Sequence, residues 1–283
     1  MIASTFDYVR ASSVDEAIRL LGARGEDAKI LAGGQSLIPM MKLRFAAPQT
    51  LIDIRRIPSL HGITVNGDRV TIGALTNHAA IAADTNLRKA APALWDAANV
   101  LGDPQVRNLG TIGGSLSHAD PAADYTAVML ALEAEFTLTG PTSERRIAAA
   151  DFFMGMFETA LGACEILTSV CFNAAPASAY VKFHHPASHY AVVGAAASLT
   201  LDGSKITTAR VALNGVYDVA FRASLVERAL VGVRANDELA VELATASAAG
   251  DGEARSDTFA SGIYRRAMAT VYAARAVQRA AKR

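Results

Sequence analysis

Residues 32–36 read Ala-Gly-Gly-Gln-Ser and residues 110–115 read Gly-Thr-Ile-Gly-Gly-Ser. Glycines let the backbone bend so that successive N–H groups converge on an anion, and adjoining hydroxyls add donors. The pair predicts two loops that hold a diphosphate without a lysine, although ordinary tight turns would have the same composition. Neither segment has the G-x-G-x-x-G spacing or a Gly-Lys-Ser/Thr ending, which disfavours a Rossmann site and a P-loop.

Short strands and helices are predicted around the two loops. Ser13 and Glu16 form a capping-box pattern, which predicts the start of a helix that stops at Gly22. Residues 86–101 read as one helix, and Thr76 as the cap of a preceding helix. Three short apolar runs predict strands at residues 29–32, 51–54 and 70–72.

The second half of the chain has a different pattern. Small residues and a proline at 173–178 predict a domain boundary. Alternating apolar residues at 195–201, followed by Asp202-Gly203, predict a strand and a hairpin turn. Two helices are expected to close the chain, the last with an apolar stripe of Ile263, Ala267, Val271 and Ala274. The fold class is α+β.

Composition excludes several classes of protein. The 283 residues suggest two domains, and 27 basic residues balance 27 acidic ones, which argues against general nucleic-acid binding. No apolar run approaches the ~20 residues of a membrane helix, so no transmembrane segment is predicted. The two cysteines, Cys164 and Cys171, are too few to hold a zinc ion or an iron–sulfur cluster and fit a cytoplasmic chain with reduced thiols.

Acidic residues follow the second glycine segment. Asp120 and Asp124 could share a helical face and hold a metal, but we favour Asp120 as the cap of a helix that starts at Pro121. Asp124 is then free to accept a hydrogen bond from a ligand hydroxyl. Residues 113–117 resemble a nucleophile elbow only superficially, because the last position is serine and no paired base is identifiable.

A third cluster lies at residues 182–190. His185 and His189 have the spacing of metal ligands on a helix, yet Pro186 interrupts such a helix and no acidic or cysteine ligand accompanies them. Loop histidines are therefore favoured over zinc ligands. Lys182 and Tyr190 flank this loop as a cation and an aromatic plane, a pair that can stabilise and cover a reduced ring system.

These motifs together resemble one family. Ala-Gly-Gly-Gln-Ser, Gly-Thr-Ile-Gly-Gly-Ser, Asp-Pro-Ala-Ala-Asp at 120–124 and the Lys-Phe…His-Tyr-Ala-Val-Val-Gly block at 182–194 occur in the order found in the FAD-binding medium subunits of molybdenum hydroxylases. This family includes the medium subunit of aerobic carbon monoxide dehydrogenase and the FAD domain of xanthine dehydrogenase. The resemblance extends from Phe6 to the final helix.

The resemblance implies a fold and its boundaries. A two-lobed FAD-binding domain of the PCMH type is expected, with its N-terminal lobe at residues 1–57 and its second lobe at 58–174. A C-terminal domain of the carbon monoxide dehydrogenase flavoprotein type, with a three-stranded sheet and a helical bundle, is expected at 175–283.

The resemblance also implies which residues contact FAD. Amides of the two glycine loops would bind the diphosphate, Asp124 would bond the cofactor, and Leu167 would lie beside the flavin ring. Lys182 would favour the reduced anion, and Tyr190 would cover one face. The full implied set is Lys29, Ile30, Leu31, Ala32, Gly33, Gly34, Gln35, Ser36, Leu37, Leu101, Thr111, Ile112, Gly113, Gly114, Ser115, Asp124, Leu167, Lys182 and Tyr190. No catalytic acid or base and no metal ligand is implied in this chain.

The implied function is electron transfer within an oxidoreductase complex. A large subunit would carry a molybdenum cofactor, and a small subunit with [2Fe-2S] clusters would pass electrons to FAD in this chain and on to an external acceptor. A dimer of three-subunit units, (LMS)2, is the implied assembly. The implied location is the cytoplasm, either free or peripheral to the inner membrane face through the complex.

Two alternatives remain open, and departures from the family pattern support the first of them. Carbon monoxide members often have histidine where this chain has Gln35, and a basic or glycine-containing loop at residues 184–188. The complex could therefore act on an aldehyde or an N-heterocycle instead of carbon monoxide. A cofactor-free scaffold that docks partner subunits is the alternative from another functional class.

Overall fold

The N-terminal part of the chain forms a small parallel sheet. In this computed structural model, which describes residues 2–283, the strands β1, β3 and β2 lie side by side in that order. Its elements are β1 (Asp7–Arg10), α1 (Val14–Arg24), β2 (Ala28–Leu31), α2 (Leu37–Lys42) and β3 (Thr50–Asp53). The first glycine loop leaves the carboxyl end of β2, the edge at which open α/β sheets bind ligands.

Helix α1 begins at the predicted cap but ends later than predicted. The Ser13 hydroxyl accepts a hydrogen bond from the Glu16 amide at 3.1 Å, whereas the Glu16 carboxylate binds Ser12 rather than Ser13. The prediction that the helix stops at Gly22 is wrong, because the helix continues to Arg24 and Gly25 terminates it with a φ of 57°. Glycine supplies this left-handed conformation at little steric cost.

The carboxyl end of β3 contains a buried charged group. Asp53 accepts hydrogen bonds from the Arg55 side chain at 2.8 Å and from the Tyr8 hydroxyl. Burial alone would raise the pKa of Asp53, but these hydrogen bonds outweigh it and lower the pKa to about 2. The network ties β1 to β3 beside the loop.

A second lobe is built on a five-stranded antiparallel sheet with the order β4-β5-β10-β6-β7. Its strands are β4 (Ile63–Asn66), β5 (Arg69–Gly73), β6 (Glu135–Thr139), β7 (Glu144–Ala148) and β10 (Ile166–Asn173), with a two-stranded hairpin of β8 (Phe153–Gly155) and β9 (Glu158–Thr159). Its helices are α3 (His78–Ala83), α4 (Thr85–Ala90), α5 (Pro92–Val100), α6 (Pro104–Leu109), α7 (Ile112–His118), α8 (Asp124–Ala131) and α9 (Ala149–Phe152).

Two sequence predictions fail in this lobe. The single helix predicted at 86–101 is broken into α4 and α5 at Ala91, since Pro92 disfavours helical geometry at the residue before it. Thr76 does not cap α3, because Asn77 accepts from the Ala80 amide at 2.8 Å, while the Thr76 hydroxyl donates to the Gly62 carbonyl.

The C-terminal part forms a third sheet covered by helices. Three long strands are present as expected, and a two-residue strand extends the sheet to the order β11-β12-β13-β14. The elements are β11 (Ser178–His184), β12 (Ala191–Asp202), β13 (Lys205–Asn214), β14 (Phe221–Arg222), α10 (Ser224–Leu230), α11 (Glu238–Thr245) and α12 (Gly262–Ala281). The predicted hairpin turn at Asp202-Gly203 joins β12 to β13.

The predicted apolar stripe of the last helix is wrong for three of its four residues, since only Ala274 is buried. Ile263 is 83% exposed, and Val271 is also exposed. The buried face of α12 instead consists mainly of alanines, among them Ala269, Ala273 and Ala276, which pack against the sheet. Small side chains let the helix approach the sheet closely. Large apolar residues such as Ile263 therefore do not form the face of α12 that packs against the sheet. Three helices close the chain rather than two.

Within residues 2–283, we find no helix that is both long and apolar enough to span a bilayer.

Candidate functional site

A deep cleft separates the N-terminal lobe from the second lobe. Its cavity has a volume of about 750 Å³, which is within the usual size range of small-molecule sites. Both glycine segments line it, at residues 32–36 and around 110–115. Residues 188–190 of the C-terminal part close one side. Segments far apart in the sequence therefore meet at a single cavity.

The two glycine segments contact each other directly. A Cβ atom at Gly33 would overlap the carbonyl oxygen of Leu109 and lie 2.7 Å from the Cα atom of Gly110. A Cβ atom at Gly114 would be 3.7 Å from that of Ala32. Any side chain at position 33 would push the two loops apart. The glycine is thus needed for the contact between the lobes.

The first loop has free hydrogen-bond donors. In the described chain, residues 2–283, we find no protein acceptor for the backbone N–H groups of residues 33–37. All five residues line the cleft. Gly34 adopts a φ of 71°, and the Gln35 side chain donates to the Gly33 carbonyl at 3.3 Å, which shapes the turn. Converging N–H groups of this kind bind anions.

The second loop uses most of its backbone donors within the protein. The Ile112 amide donates to the Thr76 carbonyl at 3.0 Å, and the Gly113 amide donates to the Ala74 carbonyl at 2.8 Å. The Thr111 hydroxyl accepts from the Gly114 amide at 3.2 Å and caps α7. These bonds fix the loop against the end of β5. The cleft receives from this loop mainly its shape and its hydroxyl groups.

A buried histidine supports the second loop from behind. The His78 amide donates to the Gly110 carbonyl at 3.0 Å, and its ring Nδ1 lies 3.0 Å from the Tyr125 hydroxyl. Burial, with a smaller effect of the Arg107 charge, lowers the pKa of His78 to about 4. The ring is therefore neutral near pH 7.

Asp124 is not free, contrary to the sequence-based expectation. It is 4% exposed; its Oδ2 lies 2.9 Å from the Lys182 ammonium, and its Oδ1 accepts from the Tyr180 hydroxyl at 2.7 Å. Lys182 also donates to the Val100 carbonyl at 3.1 Å. Burial raises the pKa of Asp124, and the Lys182 charge and the Tyr180 hydrogen bond oppose part of that rise.

Asp120 does not cap a helix. Its carboxylate accepts from the Ala122 amide at 2.8 Å within a turn, and α8 begins only at Asp124. Pro121 therefore belongs to the turn and not to the first turn of a helix. Asp120 itself lines the cleft.

The histidine loop folds around one imidazole. His185 Nδ1 accepts from the amides of Ala187 and Ser188, both at 3.2 Å, so this nitrogen carries no proton. The loop brings Tyr190, which is 49% exposed, to the cleft. Across residues 2–283, we find no group of three or more side chains arranged to hold a metal ion.

The cleft brings together most of the predicted cofactor residues. Those that line it are Lys29, Ile30, Ala32, Gly33, Gly34, Gln35, Ser36, Leu37, Leu101, Thr111, Gly113, Gly114, Ser115, Asp124, Leu167 and Tyr190. The other three lie behind its wall. Leu31 and Ile112 are buried in apolar cores, and the Lys182 side chain is 2% exposed, paired with Asp124.

Comparison with known proteins identifies the two parts of the chain. Residues 4–172 match the family described as the FAD binding domain in molybdopterin dehydrogenase, and residues 178–280 match the CO dehydrogenase flavoprotein C-terminal domain. The chain is 39% identical over 283 residues to the carbon monoxide dehydrogenase medium chain of Hydrogenophaga pseudoflava, covering 99% of this chain and 98% of that one.

The chain belongs to the FAD-binding medium chains of the molybdopterin dehydrogenases.

Further relatives place this medium chain among oxidoreductase subunits. A solved Cu,Mo-CO dehydrogenase chain superimposes with a TM-score of 0.95 at 38% identity, covering 100% of this chain and 99% of that chain. The 6-hydroxypseudooxynicotine dehydrogenase complex subunit alpha of Paenarthrobacter nicotinovorans is 39% identical over 231 residues, which cover 80% of this chain and 78% of that one. The predicted family, the α+β fold and the FAD cofactor are confirmed.

The residues of this medium chain fit FAD. A diphosphate needs a set of N–H donors, and the first loop provides unpaired ones where a side chain at position 33 would not fit. Apolar walls at Leu101 and Leu167 and the Tyr190 ring suit a flat heterocycle. The cleft therefore has both a polar and an apolar region, as a dinucleotide requires.

Sequence reasoning missed several residues that line the cleft of this medium chain. His78 and His118 contribute imidazoles, and the His118 ring lies 5.0 Å from that of Phe157 at the β8–β9 hairpin. Residues 161–166 form a further wall, with Cys164 among them. Only His118 had a local signal, its position between the second glycine segment and Asp120. The others are brought to the cleft by the fold.

Proposed function

We propose that this chain holds FAD in the cleft between its two lobes and transfers electrons from [2Fe-2S] clusters of a small subunit to an external acceptor. The observation that supports this most strongly is the first glycine loop, whose five N–H groups have no protein acceptor within residues 2–283 and line the cleft beside the second loop. FAD supplies one- and two-electron chemistry that no side chain can provide.

We propose that the diphosphate is held by the amides of residues 33–37 and by the hydroxyls of Ser36 and Ser115. The Thr111 hydroxyl and the Gly113 amide would shape the second loop rather than bind the diphosphate. Leu101, Leu167 and Tyr190 would contact the flavin or adenine ring. The neutral Asp124–Lys182 pair would present a carboxylate oxygen to a cofactor hydroxyl without adding net charge near the diphosphate.

Lys182 would then act differently from the sequence-based expectation. Its ammonium is committed to Asp124 and to the Val100 carbonyl, so its charge is neutralised locally. A cation that faces the ring directly would favour the reduced anion more strongly than a paired one. We propose that Lys182 mainly holds the end of α5, the start of α8 and β11 together around the site.

The remaining residues shape the environment of the cleft. His78 is neutral and adds no charge near pH 7. Tyr190 would limit access of water or acceptor to one side, since residues 188–190 border the cleft. Domain boundaries at 1–57, 58–174 and 175–283 are proposed on the grouping of the strands, because each sheet falls inside one of these ranges.

The proposed assembly contains a large molybdenum-cofactor subunit and a small [2Fe-2S] subunit in an (LMS)2 arrangement. Substrate choice would belong to the large subunit. In agreement, this chain is 39% identical over 283 residues to a carbon monoxide dehydrogenase medium chain and 39% identical over 231 residues to a 6-hydroxypseudooxynicotine dehydrogenase complex subunit alpha. Both cysteines, Cys164 and Cys171, are free thiols, which fits a reducing cytoplasmic location. We propose that the complex is peripheral to the inner membrane face.

The test is an absorption spectrum of the natively purified complex, followed by acid release and identification of the flavin. Noncovalent FAD near one per chain, with additional iron–sulfur absorbance, is expected. A complex that contains no flavin even after incubation with excess FAD would refute the proposal and favour a scaffold that docks subunits. Release of FMN instead of FAD would contradict the role assigned to the diphosphate loop.

A further inference from the structure

Two polar side chains lie behind the cleft, next to Asp124. Tyr180 on β11 is 1% exposed and Asn214 at the end of β13 is fully buried. The Tyr180 hydroxyl is 2.7 Å from Asp124 Oδ1 and 3.3 Å from the Asn214 side-chain oxygen. Neither residue lines the cleft, and neither has a signal in the sequence. Their only route to the site is through Asp124.

The single proton of the Tyr180 hydroxyl determines the direction of these two hydrogen bonds. A tyrosine hydroxyl carries a single proton, and the shorter bond to a carboxylate takes it. Tyr180 must then accept from Asn214, which places the Asn214 amide nitrogen, rather than its oxygen, toward the hydroxyl. With its oxygen toward the hydroxyl, as the side chain stands in the structure, the Asn214 nitrogen is buried without a partner among residues 2–283. The chain Asn214–Tyr180–Asp124 is therefore directional, and every bond points to the carboxylate.

Gly194 provides independent support for this network. It lies in the middle of β12, where it pairs with Lys182 on one side and Asn214 on the other. A Cβ atom there would overlap both the Tyr180 hydroxyl and the Asn214 side-chain oxygen. Glycine weakens the interior of a strand and often marks a place where other atoms approach closely. Here those atoms belong to Tyr180, which donates to Asp124, and to Asn214, which contacts Tyr180.

We propose that Tyr180, oriented by Asn214, is a positioning residue that directs the Asp124 carboxylate at the FAD cleft and favours its charged form. This inference rests on the proposed function. Lys182 satisfies Oδ2 and Tyr180 satisfies Oδ1, and a carboxylate can accept further bonds, so Asp124 retains acceptor capacity for a cofactor hydroxyl. Without Tyr180, one oxygen of a buried anion would lose its donor.

The surroundings of Asp124 determine how its charge responds to pH. Besides Lys182 and Tyr180, the charged and titratable groups near it are Asp120, Tyr125 and Tyr190. Burial already raises the pKa of the Asp124 carboxyl, and Asp120 adds to that rise. Removing the Tyr180 hydroxyl removes one of the groups that oppose it. The carboxyl should then take up a proton at a higher pH than in the wild type.

The test compares FAD affinity of the intact complex between pH 5 and 8. Tyr180→Phe should raise the FAD dissociation constant about tenfold at pH 7, as expected for a lost hydrogen bond to a charged group. The loss relative to the wild type should increase as the pH falls, because the Asp124 carboxyl of the variant takes up its proton at a higher pH than that of the wild type. In an Asp124→Asn background, Tyr180→Phe should have little further effect, because the two residues act as one unit.

Tyr217→Phe is the matched control. The Tyr217 hydroxyl donates its single proton to the backbone carbonyl of Ala249 and lies 3.2 Å from that of Gly252, but it lies in the C-terminal part and does not line the cleft. Its removal should leave the FAD dissociation constant and its pH profile unchanged. Should Tyr180→Phe fail to fold, Asn214→Ala serves as the second variant. It should raise the dissociation constant about threefold with the same pH trend.

Two results would overturn the inference while leaving the proposed function intact. One is a folded Tyr180→Phe complex with the affinity and pH profile of the wild type. The other is an equal loss of affinity in the Asp124→Asn background, which would show that Tyr180 acts by another route. A wild-type complex that does not bind FAD would instead overturn the proposed function itself.

Discussion

The two glycine loops have similar sequences but opposite hydrogen-bonding roles. At residues 33–37 the backbone amides point to no protein acceptor within the described part of the chain, residues 2–283. At 112–114 they are bound to carbonyl or hydroxyl oxygens of residues 74–76 and 111. A glycine-rich composition shows that the backbone can bend sharply. Whether its amides are available for a ligand depends on what packs behind it.

The difference follows from the position of each loop in its lobe. The first loop follows the carboxyl end of the edge strand β2 and runs into the first turn of α2, where no side chain caps the helix. The second loop runs beside the chain that leaves β5, and the Asn77–Thr111 bridge joins the two. The first loop therefore offers donors to a ligand, and the second holds the lobe in shape.

Gly33→Ala should have the largest effect, because position 33 is where the loops touch. The added methyl group would meet backbone atoms of Leu109 and Gly110, which cannot move as a flexible side chain can. Overpacking of this kind costs roughly 1–3 kcal/mol, and we expect FAD affinity to fall about 100-fold. Equilibrium binding of FAD to the purified complex, together with its Tm, measures both effects.

Gly22→Ala is the control for that variant. Its Cβ atom would lie 3.8 Å from the Cys164 sulfur, an ordinary contact, in the interior of α1. Alanine is favoured over glycine at such a position, so the variant should be at least as stable as the wild type. If Gly33→Ala bound FAD as well as Gly22→Ala does, contact between the loops would not be needed for the site.

Lowering the pH should reduce the free energy of unfolding through His78, which supports the second loop. His78 has a lower pKa in the folded protein, about 4, than its ordinary value of 6.5, so the unfolded chain binds the proton first. Stability is therefore lost as the pH falls from 6.5 to 4, by up to roughly 3 kcal/mol. In His78→Gln this part of the pH dependence should disappear.

Urea unfolding of both proteins at several values between pH 7 and pH 4 measures this difference. Other histidines contribute equally to the wild type and the variant, so the difference between the two curves isolates His78. Parallel curves for the two proteins would show that His78 does not titrate differently in the folded state.

Removing one hydroxyl from each loop should have the smallest effects and should distinguish the structural role of the second loop from the ligand-binding role of the first. Thr111→Val removes the cap of α7 and should lower the free energy of unfolding by about 1 kcal/mol. The Ser36 hydroxyl makes no capping bond and lines the cleft, so Ser36→Ala should leave stability unchanged and weaken FAD binding about threefold to tenfold. Chemical unfolding and FAD titration of each variant distinguish these outcomes. Equal effects of both variants on both measurements would erase the contrast between the loops.

Local sequence patterns predicted many secondary-structure elements correctly, but they did not predict which face of the last helix is buried. The cap at Ser13, the three short strands and the hairpin at Asp202-Gly203 depend on neighbours in sequence, and they are confirmed. The prediction of one helix at 86–101 failed because the apolar periodicity continues across Pro92, whereas the helical backbone is interrupted just before this proline. The stripe on the last helix failed because the most apolar side chains, such as Ile263, are not the ones that fit against the sheet.

The family and its cofactor could be inferred from the sequence, because glycines, hydroxyls and aspartates at fixed spacings are local features. The tertiary structure alone decided which loop keeps its amides free and which charges are paired. Asp124 meets Tyr180 and Lys182 across 56 and 58 residues of chain, and a buried carboxylate must find its partners wherever the fold places them. No local pattern contains that information, since burial and partner are properties of the packed molecule.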